Sequence, residues 1–149
     1  MRPRPLLPAG LRGFTLIELL VAMAAMAVLA AIALPAFFEQ LARARRTDVQ
    51  AALLEDAGYM QHYYAAHNAY TDTPAPELPF ARTPRTGTAS YVITVRVPAD
   101  DPTSFVLTAA RSGAMASDAC GDFTYDNLGR RDLVVGTFAA GRDVLRCWR

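Results

Sequence analysis

Glu18 is the residue whose surroundings most demand a chemical explanation. It stands immediately before Leu19–Phe38, twenty residues without a formal charge that read LLVAMAAMAVLAAIALPAFF. As a helix, that run spans about 30 Å, the thickness of a bilayer's hydrocarbon core. Leu, Ala and Met favour helix, the state that leaves no backbone group unpaired in lipid. A carboxylate in such a helix costs about 2.5–3.5 kcal/mol on insertion scales, so it calls for a partner. No basic residue lies within helical reach on its C-terminal side. A cut between Gly13 and Phe14 would create an α-amino group four residues from Glu18. That amine, on the same subunit or a neighbour, would neutralise the carboxylate in a low-dielectric setting. Glu18 and an amine at Phe14 would therefore form one candidate pair, and its chemistry would be ion pairing.

Other reactive residues give weaker patterns. Cys120 and Cys147 enclose 28 residues counted inclusively. A bridge closing such a loop is worth about 3.5 kcal/mol in chain-entropy estimates and persists in an oxidising compartment. Two free core thiols are the alternative. A zinc site has against it the lack of close Cys or His company. His62 and His67 are five apart and do not stack on one helical face as a metal pair would. Asp118, Asp122 and Asp126 recur every four residues. They invite a calcium reading, but the spacing matches no known loop. Asp100-Asp101 reads as a turn between Pro98 and Pro102. No nucleophile–base grouping and no phosphate-cradling Gly loop has a local signature, so neither catalysis, cofactor nor metal is expected. From Cys120 to Arg149 five arginines (130, 131, 142, 146, 149) face four aspartates (122, 126, 132, 143). That small surplus keeps DNA as an alternative partner, although backbone binding needs several phosphates neutralised together.

The elements that must position these residues follow from patterning. The chain has 149 residues, enough for one domain, and a formal net charge of +1, which gives no field calling for an anionic partner. All fifteen basic residues are Arg, and the apolar fraction is 52%, concentrated between Phe14 and Phe38. A secretory signal peptide is disfavoured because its apolar stretch is about 7–15 residues with a small-residue cut after it. A plain single-pass anchor gives Glu18 no duty. Arg2, Arg4 and Arg12 before the run and Arg43, Arg45 and Arg46 after it leave orientation open. Pro35 removes a backbone donor near the far end and predicts a kink.

Beyond Phe38, Val49, Leu53, Ala57, Met60 and Tyr64 form one apolar stripe, with Glu39, Arg45, Arg46, Asp48, Glu55 and Asp56 mostly off it. One helix from about Thr15 to His67 is predicted. Asn68, Asp72, Pro74, Pro76, Pro79, Pro84 and Gly87 make a connecting loop. Strands are predicted over Tyr91–Val97, Phe105–Ala109 and Asp122–Tyr125, with a turn at Asp126–Gly129, and Val144–Trp148 is read as a strand closing the sheet. The class is α+β: one long helix on a small antiparallel sheet.

The run Gly13-Phe14-Thr15-Leu16-Ile17-Glu18, followed by Leu19-Leu20-Val21, resembles the class III signal of type IV pilins and pseudopilins. The short leader with arginines, the Gly before the cut and the position of Pro35 fit as well. The resemblance implies that a prepilin peptidase cleaves between Gly13 and Phe14 and N-methylates Phe14. It also implies that Glu18 pairs with the N-terminus of an adjoining subunit during assembly. Cys147-Trp148-Arg149 and Cys120-Gly-Asp-Phe-Thr-Tyr-Asp-Asn-Leu-Gly129 resemble the C-terminal region of PilE-type minor pilins. That implies a Cys120–Cys147 disulfide loop in a type IV pilin fold. A second helix proline, usual in major pilins, is replaced by Glu55 and its neighbours.

The organisation so implied is a leader over 1–13, a transmembrane and filament-core helix over 14–38, and a periplasmic head over 39–149. The head divides into helix 39–67, connecting loop 68–90 and a sheet with disulfide loop over 91–149. The function implied is that of a pilus subunit for adhesion, twitching motility or DNA uptake, held in the inner membrane before assembly and at the cell surface after it. Its partners are other pilin subunits, the peptidase, the inner-membrane assembly machinery and the membrane. A type II secretion pseudopilin and a DNA-binding minor pilin of a competence pilus are the alternatives. A membrane-anchored enzyme is disfavoured by the lack of a catalytic constellation.

Overall fold

A computed structural model of the chain describes residues 13–70 and 76–148. The leader arginines, Asp72, Pro74 and Arg149 lie outside the described residues. The chain divides into two compact units, Met1–Phe38 and Glu39–Arg149. Helix α1, Leu16–His67, contributes to both. Thr15 starts it: its Oγ1 accepts from the Glu18 backbone N–H at 3.3 Å and its carbonyl oxygen from that of Leu19 at 3.2 Å. Pro35 lies within α1, and the helix runs on past it. The helix stops at Asn68, whose φ of 58° is the left-handed conformation of a C-terminal cap. The Asn68 N–H donates to the Tyr64 carbonyl at 2.7 Å.

In the second unit the expected stripe is the buried face of α1. Val49, Leu53, Ala57 and Met60 are buried, and Tyr64 packs partly against the same core. Two charged residues read as lying off that stripe, Arg46 and Asp56, are buried as well. The sheet has five antiparallel strands in sequence order: β1 (Arg82–Thr83), β2 (Tyr91–Arg96), β3 (Val106–Arg111), β4 (Phe123–Asp126) and β5 (Arg131–Leu133). The predicted alternation holds in β2, where Tyr91 and Ile93 are buried and Val92, Thr94 and Arg96 are exposed. Register carries that face across the sheet. Ile93 pairs with Ala109, Ala109 with Phe123 and Phe123 with Leu133, and all four are buried. These residues form one core with the α1 stripe.

Three expectations are corrected. The connecting segment 68–90 carries β1, which pairs Arg82 with Val92 and Thr83 with Tyr91. The sheet's other edge is β5, not the tail. Val144–Trp148 is not a strand: Val144–Cys147 forms a short helix, α2. Asp143 decides this, because its carboxylate accepts from the Arg146 N–H at 2.8 Å and caps a helical turn. The tail still docks on the sheet, through the Trp148 indole N–H donating to the Asp132 carbonyl at 3.0 Å.

Candidate functional site

The N-terminal site is built on an isolated apolar cylinder. From Phe14 (84% exposed) to Phe38 (61%), the large apolar side chains of this unit stand free. The helix is long and apolar enough to cross a membrane, with a mean hydropathy of 2.5 in its most apolar stretch. An apolar surface of this extent marks contact with lipid or with other protein. Gly13 and Phe14 precede the helix, outside any helix or strand. Glu18 sits in the first turn, where an acid complements the helix dipole. Thr15-x-x-Glu18 has the spacing of a capping box, but only the Thr15 half of it is formed. The Glu18 carboxylate has no partner among the described residues.

In the head, Cys120 and Cys147 form the disulfide, with an S–S distance of 2.04 Å. Two buried contacts tie this loop to α1. The Gln50 Nε2 amide donates to the Cys147 carbonyl at 2.7 Å. The Arg46 Nε donates to Asp118 at 3.0 Å, two residues before Cys120. That hydrogen bond raises the Arg46 pKa further above its ordinary value, against the opposing effect of burial. Tight approach at the disulfide also explains Gly121. Its φ is +75°, and a Cβ there would lie 2.5 Å from Thr137 Oγ1 and 2.8 Å from Phe138 N.

The three regularly spaced aspartates do not converge. Asp118 holds Arg46, Asp122 holds Arg111 at 2.9 Å, and Asp126 pairs with Arg130. Among the described residues no group of His, Cys, Asp and Glu is gathered as a metal site. Burial pushes the Asp126 carboxyl up, but hydrogen bonds from the Arg130 N–H and guanidinium and the Leu128 N–H outweigh it and hold the pKa low. His62 is exposed, while the His67 ring stacks on Tyr63 at 4.1 Å. Of the arginines weighed for DNA, Arg130 is engaged with Asp126 yet mostly exposed, and Arg131 lies 5.7 Å over the Trp148 ring.

The residue that sequence reasoning missed is Asp56. It is buried on α1, its Oδ1 accepts from the Phe80 N–H at 2.9 Å, and its Oδ2 has no hydrogen-bond partner. Burial raises its pKa to about 6, with Glu55 adding to the shift and Arg85 opposing it. The available signal was one of register, since Asp56 falls three residues after Leu53.

Residues 11–34 match the prokaryotic N-terminal methylation motif, and residues 35–124 match the family described as type IV minor pilin ComP, DNA uptake sequence receptor. A curated relative, the type IV wide pilus major component PilA4 of Thermus thermophilus, is 39% identical over 64 residues, or 43% of this chain. The chain spans about half (49%) of that relative's length. A solved type IV pilin from Shewanella oneidensis superposes with a TM-score of 0.46 at 23% identity, over 65% of this chain and 97% of that one. Since the minor-pilin family model matches well over half of the sequence and the methylation motif adjoins it, the chain belongs to the ComP family of type IV minor pilins.

Proposed function

We propose that the chain is a non-catalytic type IV pilus subunit, made as a prepilin, cut between Gly13 and Phe14 and N-methylated on Phe14. The observation that carries this reading is the bare apolar surface of the first unit beside an acid with no partner among the described residues. Before assembly, lipid covers that surface, with the subunit spanning the inner membrane and its head in the periplasm. In the filament the same surface packs against like helices. Glu18 sets axial register by pairing with the Phe14 amine of an adjoining subunit, which removes the cost of an uncompensated charge. Pro35 supplies a point of bending or local melting. The peptidase and the membrane assembly machinery are the partners this cycle needs.

Glu18→Ala tests the assembly step. Processing should be intact while incorporation into sheared surface filaments falls at least tenfold, from the loss of about 1.4 kcal/mol or more of pairing. Normal incorporation would end the pairing role. Finding the chain only in a secretion complex would favour a pseudopilus.

A second reading is DNA binding by the head, favoured by the match of residues 35–124 to a family described as a DNA uptake sequence receptor. Arg130 and Arg131 are the arginines we assign to phosphate contact, both exposed at the β4–β5 turn. The head from Glu39 onward should retard duplex DNA at low salt, and Arg130→Gln with Arg131→Gln should weaken this and flatten the salt dependence by about two phosphate contacts. No retardation at low salt would remove this reading and leave the pilus role standing.

A further inference from the structure

The start of the head carries an unused concentration of positive charge. A cavity of about 570 Å³ lies in the second unit, its lining including Glu39, Arg43, Arg46 and Thr47 of α1, Arg146 of α2 and Arg142 just before α2. Four guanidinium groups thus share a space with one carboxylate. That carboxylate is already divided, since Glu39 Oε1 accepts from Arg43 at 3.2 Å and from Arg46 at 3.3 Å. Arg46 is further committed to Asp118. The surplus therefore rests on Arg142, which has no side-chain partner among the described residues, and on Arg146, whose Nη1 among those residues reaches the Gly141 carbonyl at 3.3 Å. Two arginines lining one cavity with no ion pair among the described residues match an anionic oxygen cluster such as a phosphate.

Sequence position selects the source of that phosphate. Arg43 follows Phe38, the last residue of the apolar run, by five positions. At 1.5 Å per helical residue that is about 7.5 Å. A bilayer of about 40–45 Å with a hydrocarbon core of about 30 Å has a headgroup layer of about 5–8 Å on each side. We propose that this cavity holds the phosphate of an anionic phospholipid headgroup while the subunit waits in the bilayer, with Arg142 and Arg146 as its principal ligands and Arg43 completing the clamp. The proposal rests on the membrane-spanning reading given above. It gives the C-terminal tail a second duty: the Gln50 amide of α1, bonded to the Cys147 carbonyl, holds α2 and with it Arg146 beside α1.

The test uses the full chain in neutral detergent micelles, titrated with phosphatidylglycerol or phosphatidylcholine and observed by native mass spectrometry. One phosphatidylglycerol should be retained in preference to phosphatidylcholine. Arg142→Gln with Arg146→Gln should lower that retention about thirtyfold, at about fivefold for each arginine lost near an anionic lipid. The charge-preserving Arg142→Lys with Arg146→Lys should stay within about fivefold of the parent, and it serves if the Gln pair unfolds. Arg130→Gln with Arg131→Gln should change nothing. Equal retention of the two lipids, or of phosphatidylglycerol by the parent and the Gln pair, overturns the proposal. So does displacement of phosphatidylglycerol by duplex DNA at equal phosphate concentration, which would assign the cavity to DNA. Flotation with neutral liposomes reads the membrane anchor separately: failure to float removes the spanning reading, whereas flotation without lipid preference removes only this site.

Discussion

Arg46 of α1 and Asp118 of the disulfide loop form a buried, multiply hydrogen-bonded pair across 72 residues of sequence. Their side chains are 7% and 4% exposed, so neither charge has water to fall back on. Removing one partner strands the other, and Arg46→Ala is expected to cost about 3–5 kcal/mol of head stability. Arg46→Met combined with Asp118→Leu should recover most of that loss. Urea unfolding of both variants checks it, and equal destabilisation by the single and the double change would contradict the pairing.

Loss of the Cys120–Cys147 bridge removes the constraint on the unfolded chain. Cys120→Ser with Cys147→Ser should destabilise the head by about 3.5 kcal/mol, lowering Tm by on the order of 15 °C. Thermal melting with and without reductant checks this, because the double variant should melt where the reduced parent does.

Gly121 stands where the backbone is left-handed and crowded by Thr137. Gly121→Ala should cost about 1–2 kcal/mol for the conformation and more for the clash. Gly136, at a φ of +84° with open space around it, supplies the control, since Gly136→Ala carries only the conformational cost. Chemical denaturation of the two variants side by side should rank Gly121→Ala as clearly worse.

Asp56 makes the head less stable near neutrality than in mild acid. Its pKa is raised from the ordinary 3.8 to about 6, so between those values the folded state binds more protons than the unfolded state. Stability therefore rises as pH falls from about 7 to about 5, and is lost as pH climbs through about 6, by on the order of 1–3 kcal/mol. Asp56→Asn keeps the Oδ1 acceptor for the Phe80 N–H and should abolish the slope. Unfolding free energies measured from pH 5 to 7.5 decide it. Below about pH 4 the trend should reverse, as carboxylates held low by arginine contacts, Glu39 and Asp126 among them, take up protons.

Much of the fold was legible because its large elements obey simple periods. The stripe Val49–Leu53–Ala57–Met60 and the alternation in β2 are local patterns that burial then confirmed. β1 and β5, of two and three residues, are too short to show any period. The tail Val-Leu-Arg-Cys-Trp has strand-like composition, yet one capping carboxylate at Asp143 turned it into a helix. The aspartates at 118, 122 and 126 had a visible spacing whose meaning depended on partners 72, 11 and 4 residues away. Only the nearest of these can be seen in a local reading. The burial of Arg46 and Asp56 was hidden for the same reason. The proposed processing site is the reverse case, written entirely in contiguous residues from Gly13 to Glu18.

The central claim is that Glu18 is balanced by an amine created at Phe14. Intact-mass and N-terminal analysis of the protein purified from its native host tests it most directly. The account predicts a chain that begins at Phe14 and carries one N-methyl group. A chain that still begins at Met1, or one cut elsewhere so that no amine falls four residues before Glu18, would contradict it.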